Sequence, residues 1–327
     1  MKVVILNDYV EKDSTEDELD NLEETKAVEK TLKEIGFDVE VIPFSFDIKK
    51  SVDAIKKSKP DFVFNLVESL EGNDSLAHFA PAILDLLGIS YTGCHTESMY
   101  LSSSKITTKK IFQSNKIKTP KWAPLNELFK KNIFGKKEII IKHLWEHSSE
   151  DIEDSSVFSA ANKNKLSKAI KKREKNLDNY FAEEYIDGRE FNISMIEDST
   201  GGHVLPPAEM TFVDYPKEKV KIVNYKAKWD EKSFEYLHTE RSFEFSKRDK
   251  KLLDSLKKIC KKVWDIFGLK GYARIDFRID KNGKPYVLEI NTNPCITPGM
   301  GFASACEREG MNYKEAISKI IEKACKK

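Results

Sequence analysis

At 327 residues the chain is long enough for more than one domain, each with its own core, and Lys plus Arg (55) nearly cancel Asp plus Glu (54). So even a balance gives no case for binding nucleic acid or a membrane surface through bulk charge, and no apolar run is long enough to span a bilayer. The five cysteines (Cys94, Cys260, Cys295, Cys306, Cys325) show no Cys-x-x-Cys spacing, which points to reduced thiols in a cytoplasm and to no zinc site.

The first apolar run, Lys2 to Leu6, reads as a buried strand; it is too short, and lacks the cleavage site, for a signal peptide. A polar, acidic loop runs to about Asp20. Leu22, Val28, Leu32 and Ile35 then fall near helical spacing, and Gly36 is placed to end the helix. Phe37 to Ile42 returns as strand, and Phe62 to Val67 follows as another after Lys59-Pro60. This β-α-β order predicts a parallel sheet. Leu76 to Leu87 reads as a helix ending at Gly88, so residues 1–98 form one α/β lobe. Ser102 to Ser114 reads as a helix carrying Lys105, Lys109 and Lys110, and Glu138 to Ile141 as a strand ending at Lys142. The basic stretch Asn162 to Lys175 reads as a solvated helix face. Phe181 to Ile196 holds an Asp187-Gly188 turn between two strands. Ser246 to Phe267 is an amphipathic helix burying Leu252, Leu253, Leu256, Ile259, Val263 and Trp264, and Tyr313 to Ala324 is a closing helix.

The chemistry concentrates between Lys270 and Pro294. Ala273, Ile275, Phe277 and Ile279 alternate with Arg274, Asp276, Arg278 and Asp280, and Tyr286, Leu288 and Ile290 alternate with Val287, Glu289 and Asn291. Asn282-Gly283 between them is a hairpin signal, because both residues tolerate positive φ. A two-residue loop there sets Ile275 opposite Ile290, Phe277 opposite Leu288 and Ile279 opposite Tyr286. It also sets Asp276 opposite Glu289 and Arg274 opposite Asn291. Like charges directly across a strand pair repel, so something positive belongs between the two acids. Two carboxylates and an amide oxygen are hard ligands suited to Mg²⁺. A solvated face on an edge hairpin is the alternative; three oxygen donors in register beside an arginine favour the metal.

Neither GxxxxGK[ST] nor GxGxxG occurs, so a nucleotide needs cationic side chains instead of a phosphate-cradling loop. Lys142, at the end of an apolar strand, is the first candidate, since a lysine pointing inward there needs a charged partner. Lys105 is the second. His147-Ser148-Ser149 offers hydroxyl and backbone donors to a terminal phosphate.

Taken together, the stretches ILDLLGISYTG, SSKITTK, IIIKHLWEHSS, AEEYIDGREF, NYKAKW and GYARIDFRIDKNGKPYVLEINTNP resemble, in order and spacing, the ATP-grasp superfamily and within it the D-alanine–D-alanine ligase-like branch. The resemblance covers nearly the whole chain. It implies an α/β fold of three lobes: residues 1–98, a substrate lobe; 99–182, a central lobe; and 183–327, a C-terminal lobe with the metal site. ATP would lie between the last two. By the same resemblance Lys105 and Lys142 hold the ATP phosphates, Glu183, Glu184, Tyr185 and Ile186 form the hinge strand that meets adenine, and Glu190 binds the ribose. Asp276, Glu289 and Asn291 hold two Mg²⁺ ions, with Mn²⁺ the alternative metal. Arg274 stabilises the oxyanion, Ser149 belongs to the loop over the phosphates, and Lys228 contacts phosphate from a mobile segment, Val213 to Phe245. The implied reaction activates a carboxylate as an acyl phosphate that an amine attacks, releasing ADP and phosphate. A cytoplasmic location and small-molecule partners follow, and a homodimer by analogy alone.

The chain also departs from that pattern. Asp151 stands where the family usually has glycine, and Pro294-Cys295 where it reads proline-glycine. Met300-Gly301 replaces the serine-leucine pair that holds the second substrate's carboxylate, and Val67-Glu68 a histidine-glycine. These departures imply a related carboxylate–amine ligase acting on amino acids or small peptides, with D-alanine–D-alanine ligase proper as the alternative. Glu68, Glu71 and Asn73 are candidates for a substrate ammonium or for capping and surface roles, and His238 and Arg241 for a substrate carboxylate or a solvated loop. Cys295 is expected to be structural. A kinase on the same fold and a non-catalytic nucleotide-binding module are the readings from other classes.

Overall fold

The computed structural model describes residues 1–10, 16–128, 133–146, 149 and 151–325; His147 and Ser148 lie outside the described residues. The first lobe runs β1 (Lys2–Asp8), α1 (Glu16–Ile35), β2 (Asp38–Phe44), α2 (Ile48–Ser58) and β3 (Phe62–Asn65), and its strands pair in parallel in the order β2-β1-β3. Both faces of β1 are covered. Val3 and Ile5 pack with Val28 and Leu32 of α1, while Val4 and Leu6 pack with Ile55 of α2 and with Val63. That is why the run is apolar at successive positions, where a half-exposed strand would alternate. At the end of α1, Gly36 takes a φ of 106° and the Phe37 N–H returns to the Leu32 carbonyl, closing the helix.

α3 (Phe79–Leu87) begins later than its periodicity predicts, because Asn73 first caps a short 3₁₀ turn at Asp74–Leu76. α4 (Thr96–Ser103) and α5 (Lys105–Ser114) are separated at Ser104, whose backbone is extended and whose Oγ accepts the Thr107 N–H. The helix predicted from Ser102 therefore starts at Lys105.

The central lobe contains β4 (Trp122–Pro124), β5 (Glu138–His143), β6 (Val157–Ser159), α6 (Lys163–Lys172) and β7 (Tyr180–Glu184), in an antiparallel sheet of order β4-β7-β5-β6. Ile139, Ile141, Phe158, Ile170 and Ala182 form its core. The C-terminal lobe is a second antiparallel sheet: β8 (Gly188–Asp198), β9 (Gly201–Val204), β10 (Ala208–Phe212), β11 (Thr239–Ser242), β12 (Tyr272–Asp280) and β13 (Pro285–Asn291). Its order is β11-β10-β8-β12-β13, with β9 on β8. Two short helices, α7 (Tyr225–Trp229) and α8 (Phe234–Leu237), lie between β10 and β11. α9 (Lys250–Phe267) covers the sheet with Leu256, Cys260, Val263, Trp264 and Phe267. Gly188 starts β8 against the turn of β12; a Cβ there would lie 1.9 Å from the Ile279 carbonyl oxygen, so no side chain fits. α10 (Gly301–Arg308) and α11 (Tyr313–Ala324) pack back on the first lobe, where Ile317, Ile320 and Ile321 share a core with Val28 and Leu32. No described helix is long and apolar enough to cross a membrane.

The β12–β13 hairpin departs from the predicted register and then returns to it. The loop has three residues, Lys281 to Gly283, with Gly283 at a φ of 76°; Asp280 Oδ1 accepts the Asn282 and Lys284 N–H groups at 2.9 Å each. Ile279 therefore faces Pro285, and Phe277 faces Val287. The expected Phe277–Leu288 and Ile279–Tyr286 pairs do not form. A bulge at Leu288 then absorbs one residue, so that Asp276 faces Glu289, Ile275 faces Ile290 and Arg274 faces Asn291 as expected. A one-residue slip moves every side chain to the other face. The longer turn puts Val287 in the core, and the bulge brings Glu289 and Asn291 back to the face shared by Arg274 and Asp276.

Candidate active site

A cavity of about 830 Å³ lies among the three lobes. Its walls include Lys105, Lys142, Ser149, Glu183, Glu184, Tyr185, Ile186, Glu190, Lys228, Arg274, Asp276, Glu289 and Asn291, so the described residues expected for the nucleotide and the metal converge on it.

The charge at one end is arranged around Glu183. Its carboxylate, 2 % exposed, is forked by Lys142 Nζ at 2.7 Å and Lys109 Nζ at 2.7 Å. Burial alone would raise this carboxyl, but the two lysines hold it below its ordinary value. Burial likewise opposes the Lys142 charge, and Glu183 and Glu289 outweigh it, so Lys142 is raised. Lys109 is fully buried and also donates to Thr119 Oγ1 at 2.9 Å and to the Leu288 carbonyl at 3.2 Å. The second of these bonds uses the carbonyl at the bulge. Sequence reasoning placed Lys109 on its helix without a role. The signal was its spacing, one turn from Lys105 on the same face.

On the hairpin wall, Arg274 holds Asp276 with two parallel bonds, Nε to Oδ1 and Nη2 to Oδ2, each 2.9 Å. Lys105 Nζ lies 3.6 Å from Glu289 Oε2 and also donates to the Glu146 carbonyl. The positive charge that two facing acids require is thus supplied by Arg274 and Lys105. Asp276 is 6 % exposed. The described residues contain no cluster of three His, Cys, Asp or Glu side chains suited to a metal. The donor set here is two carboxylates and the Asn291 amide oxygen on one cavity wall, hard oxygens that fit a divalent cation completed by water and ligand oxygens.

Beside this wall the cavity turns apolar. Ile140, Tyr185, Ile186, Met210 and Ile222 line it. Arg278 braces the chain between β7 and β8: it donates to the Ile186 carbonyl at 2.9 Å, to Glu190 Oε2 at 2.8 Å and to Tyr185 OH at 3.2 Å. Arg278 is a second residue of the cavity wall to which sequence reasoning gave no role. It shares a strand face with Arg274 and Asp276, which was the available signal. Burial is the main cause that raises the Glu190 carboxyl.

Residues 213–245 add Ile222, Val223, Lys228, Trp229, Tyr236 and Arg241 to the cavity wall. Lys219 bridges Asp154 and Glu235 at 2.7 Å each, Ser149 Oγ donates to the Val223 carbonyl at 3.2 Å, and Ile222 packs on Ile140 and Val157. Lys228 reaches the cavity from α7; burial and the Arg274 charge lower it. Asp151 keeps the left-handed backbone, φ 57°, that a glycine adopts without strain, and its carboxylate accepts the Tyr180 hydroxyl at 2.9 Å.

The first-lobe end is acidic. Asp8, Asp20 and Glu68 line it, with Glu24 buried alongside. Burial pushes Asp8 up to about 7, against three hydrogen bonds from Glu68 N and from Ser69 N and Oγ that favour its charge. Burial and the neighbouring acids push Glu24 to about 8 and Glu68 well up. Of the substrate candidates, Glu68, Asn73 and Arg241 reach the cavity. Asn73 caps the turn at Ser75, Glu71 accepts the Phe46 N–H, and His238 stacks on Phe234. Cys295 packs between Asp20 and Thr297 at 3.2 Å each, and burial pushes its thiol well up, away from the nucleophilic thiolate.

Three sheets around one cavity, with the nucleotide-sized space between the central and C-terminal sheets, define an ATP-grasp fold. The D-ala D-ala ligase C-terminus family model matches residues 152–322. The D-alanine–D-alanine ligase of Aquifex aeolicus (strain VF5) is 31% identical over 304 residues, 92% of this chain and 94% of that one. The Thermotoga maritima enzyme of the same name is 27% identical over 93% and 92% of the two chains. Among solved structures, D-alanyl-alanine synthetase A from Vibrio cholerae superposes with a TM-score of 0.77 at 18% identity, covering 99% of this chain and 98% of that one. The Bacillus anthracis D-alanine–D-alanine ligase complexed with ATP gives 0.71 at 19% identity, covering 99% and 97%. The chain belongs to the D-alanine–D-alanine ligase family.

Proposed function

We propose that this protein is an ATP-dependent carboxylate–amine ligase that joins amino acids or small peptides through an acyl phosphate, releasing ADP and phosphate. The observation that carries the reading is one cavity wall on which Lys105, Lys142 and Arg274 stand beside Asp276, Glu289 and Asn291, next to the apolar pocket at Tyr185 and Ile186. In this reading the apolar pocket takes the adenine, Glu190 the ribose, and Lys105, Lys142 and Lys228 the phosphates. Glu183 then keeps Lys142 charged and fixed rather than meeting the base with its own side chain. Asp276, Glu289 and Asn291 would hold two Mg²⁺ ions, which supply charge neutralisation on the transferring phosphoryl group.

Arg274 is prepositioned by Asp276 and offers its guanidinium to the oxyanion that forms when the amine attacks. Residues 213–245, anchored through Lys219, Ser149 and Ile222, keep water from the acyl phosphate. Glu68 is the proposed partner of a substrate ammonium. The division at residues 98 and 182 belongs to the same proposal. One sheet per stretch supports it, with β7 running two residues past the second boundary.

The 31% identity to a D-alanine–D-alanine ligase favours that specific reaction as the second reading. Phosphate release across a panel of amino acids and dipeptides, with the product weighed by mass spectrometry, separates the cases. The ligase reading requires ADP and an amide product only when carboxylate and amine are both present. A stable phosphorylated product identifies a kinase, and no Mg·ATP binding at all leaves a non-catalytic module.

A further inference from the structure

Lys109 sits where the central and C-terminal lobes meet, with no exposure to solvent. Its ammonium has three contacts, each on a different stretch of chain: Glu183 Oε2 on β7 at 2.7 Å, Thr119 Oγ1 ahead of β4 at 2.9 Å and the Leu288 carbonyl on β13 at 3.2 Å. Three acceptors are as many as an ammonium has donors. A buried charge carries a heavy desolvation cost, and an apolar side chain would fill the same space without it. Packing alone therefore does not account for a lysine here, and its contacts lead to both halves of the proposed site.

One contact leads to the residues proposed for the phosphates. Glu183 meets Lys109 through Oε2 and Lys142 through Oε1, both at 2.7 Å, so a single carboxylate sets the distance from one ammonium to the other. Lys142 lines the cavity, and Lys109 is joined to it through Glu183.

Another contact leads to the residues proposed for the metal. β13 is the last strand in the order of its sheet, and an edge strand leaves N–H and C=O groups without partners in the sheet. At the bulge two of these groups are met from the central lobe. The Val287 N–H donates to the Lys118 carbonyl at 2.8 Å, and the Leu288 carbonyl accepts from Lys109. The same bulge returns Glu289 and Asn291 to the face shared by Arg274 and Asp276. Lys109 thus holds the backbone one residue before Glu289, while Lys105, one turn earlier on α5, lies 3.6 Å from the Glu289 carboxylate.

We propose that Lys109 is a positioning residue that keeps Lys142 and Glu289 in a fixed relation, the first through the Glu183 carboxylate and the second through the Leu288 carbonyl; this rests on the ligase reading above. Lys109 itself touches neither nucleotide nor metal. Partners behind a metal ligand fix its orientation and so its affinity. Without the ammonium every group proposed to meet ATP and Mg²⁺ is still present, but the phosphate side and the metal side are no longer held to each other, and both affinities fall together.

The test uses the full-length protein. Calorimetric titration with a non-hydrolysable ATP analogue, in EDTA and in Mn²⁺, gives nucleotide affinity without turnover, and electron paramagnetic resonance of free Mn²⁺ beside the analogue gives metal affinity. Lys109→Met keeps the aliphatic stem and removes the ammonium, and Glu183 retains Lys142 as its counter-charge. It is expected to weaken Mn²⁺ binding on the order of 10-fold or more and analogue binding in EDTA about 5-fold. Thr119→Val alters no charge and loosens the same ammonium. It is expected to shift both affinities in the same direction by about 2-fold, and it decides alone where Lys109→Met does not fold. Unchanged affinities in the folded variants, whatever their loss of stability, make Lys109 a packing residue and overturn the proposal. A fall in only one of the two affinities overturns it as well, as does a wild type that binds neither probe. A wild type that forms no amide from any substrate pair, with both affinities still weakened in Lys109→Met, removes the ligase reading and leaves the role of Lys109 standing.

Discussion

At the end of the cavity formed by β5, β7 and the β12–β13 hairpin, acids and bases are matched pair by pair, and Glu183 serves two lysines at once. At the end formed by the first lobe and α10, Glu68 sits among other acids, and burial and the Arg274 charge both work against the charge of Arg241. The first end is prepared in advance: its charges are fixed in place before any ligand arrives, as stabilising a developing charge requires. The second end is left electrostatically incomplete, which is what selecting a ligand by its own charges requires. In the proposed function the first end carries the chemistry and the second selects the substrate.

The comparison breaks most decisively on the matched end. Replacing both acids, Asp276→Asn with Glu289→Gln, is expected to lower ADP release on the order of a thousandfold or more while circular dichroism stays unchanged. Survival of activity in that double variant would remove the basis of the proposed function. Next in size, Glu183→Gln leaves the buried Lys109 without its counter-charge and is expected to cost about 3–5 kcal/mol in urea unfolding. A cost near zero would mean that Glu183 is not the centre of the charge arrangement.

The first-lobe end is probed by pH. The Asp8 carboxyl, at about 7 in the fold, lies above its value in the unfolded chain, and Glu24, at about 8, does too. Between about pH 4 and those values the folded protein keeps protons that the unfolded chain has released, so stability falls as pH rises. Ligand-free protein is expected to gain stability on acidification from pH 8 toward pH 5, by at most about 1.4 kcal/mol per pH unit for each group. Asp8→Asn is expected to flatten the slope, read from urea midpoints across pH. An unchanged slope would place the strain elsewhere. The smallest effect is local: Gly283→Ala, at a φ of 76°, is expected to cost about 1 kcal/mol by thermal unfolding.

The longer elements could mostly be read from the sequence, whereas α2, α4, α7, α8, α10 and the short strands β4, β6, β9, β10 and β11 were not read. Gly36 and Gly88 end their helices where the pattern predicts, and the apolar positions of α9 face the sheet as expected. The expected nucleotide-site residues converge on one cavity, because alternation on the hairpin and the end of the Glu138 strand fix which way they point. The hairpin register was only partly legible. Asn282-Gly283 announces a turn, but its three-residue form and the compensating bulge at Leu288 depend on packing against β8 and on Lys109 reaching the Leu288 carbonyl. The substrate end was the least legible. Of Glu68, Glu71, Asn73, His238 and Arg241, all polar residues outside the strands that the sequence pattern predicts, the fold turns some into the cavity and uses others for caps and stacking.

By itself, then, the sequence determined β1, β2, β3, β5, β7, β8, β12 and β13, the helix ends at Gly36 and Gly88, and the face of the hairpin that carries Arg274, Asp276, Glu289 and Asn291, because periodicity and glycine conformation act among near neighbours in the chain. Only the tertiary structure decided that Glu183 lies between Lys109 and Lys142, that Arg278 braces the segment from Tyr185 to Glu190, and that Arg241 comes to rest on Gly301. Those pairings join residues far apart in the chain, and a charge finds its partner only after the lobes have closed and water has been excluded around it.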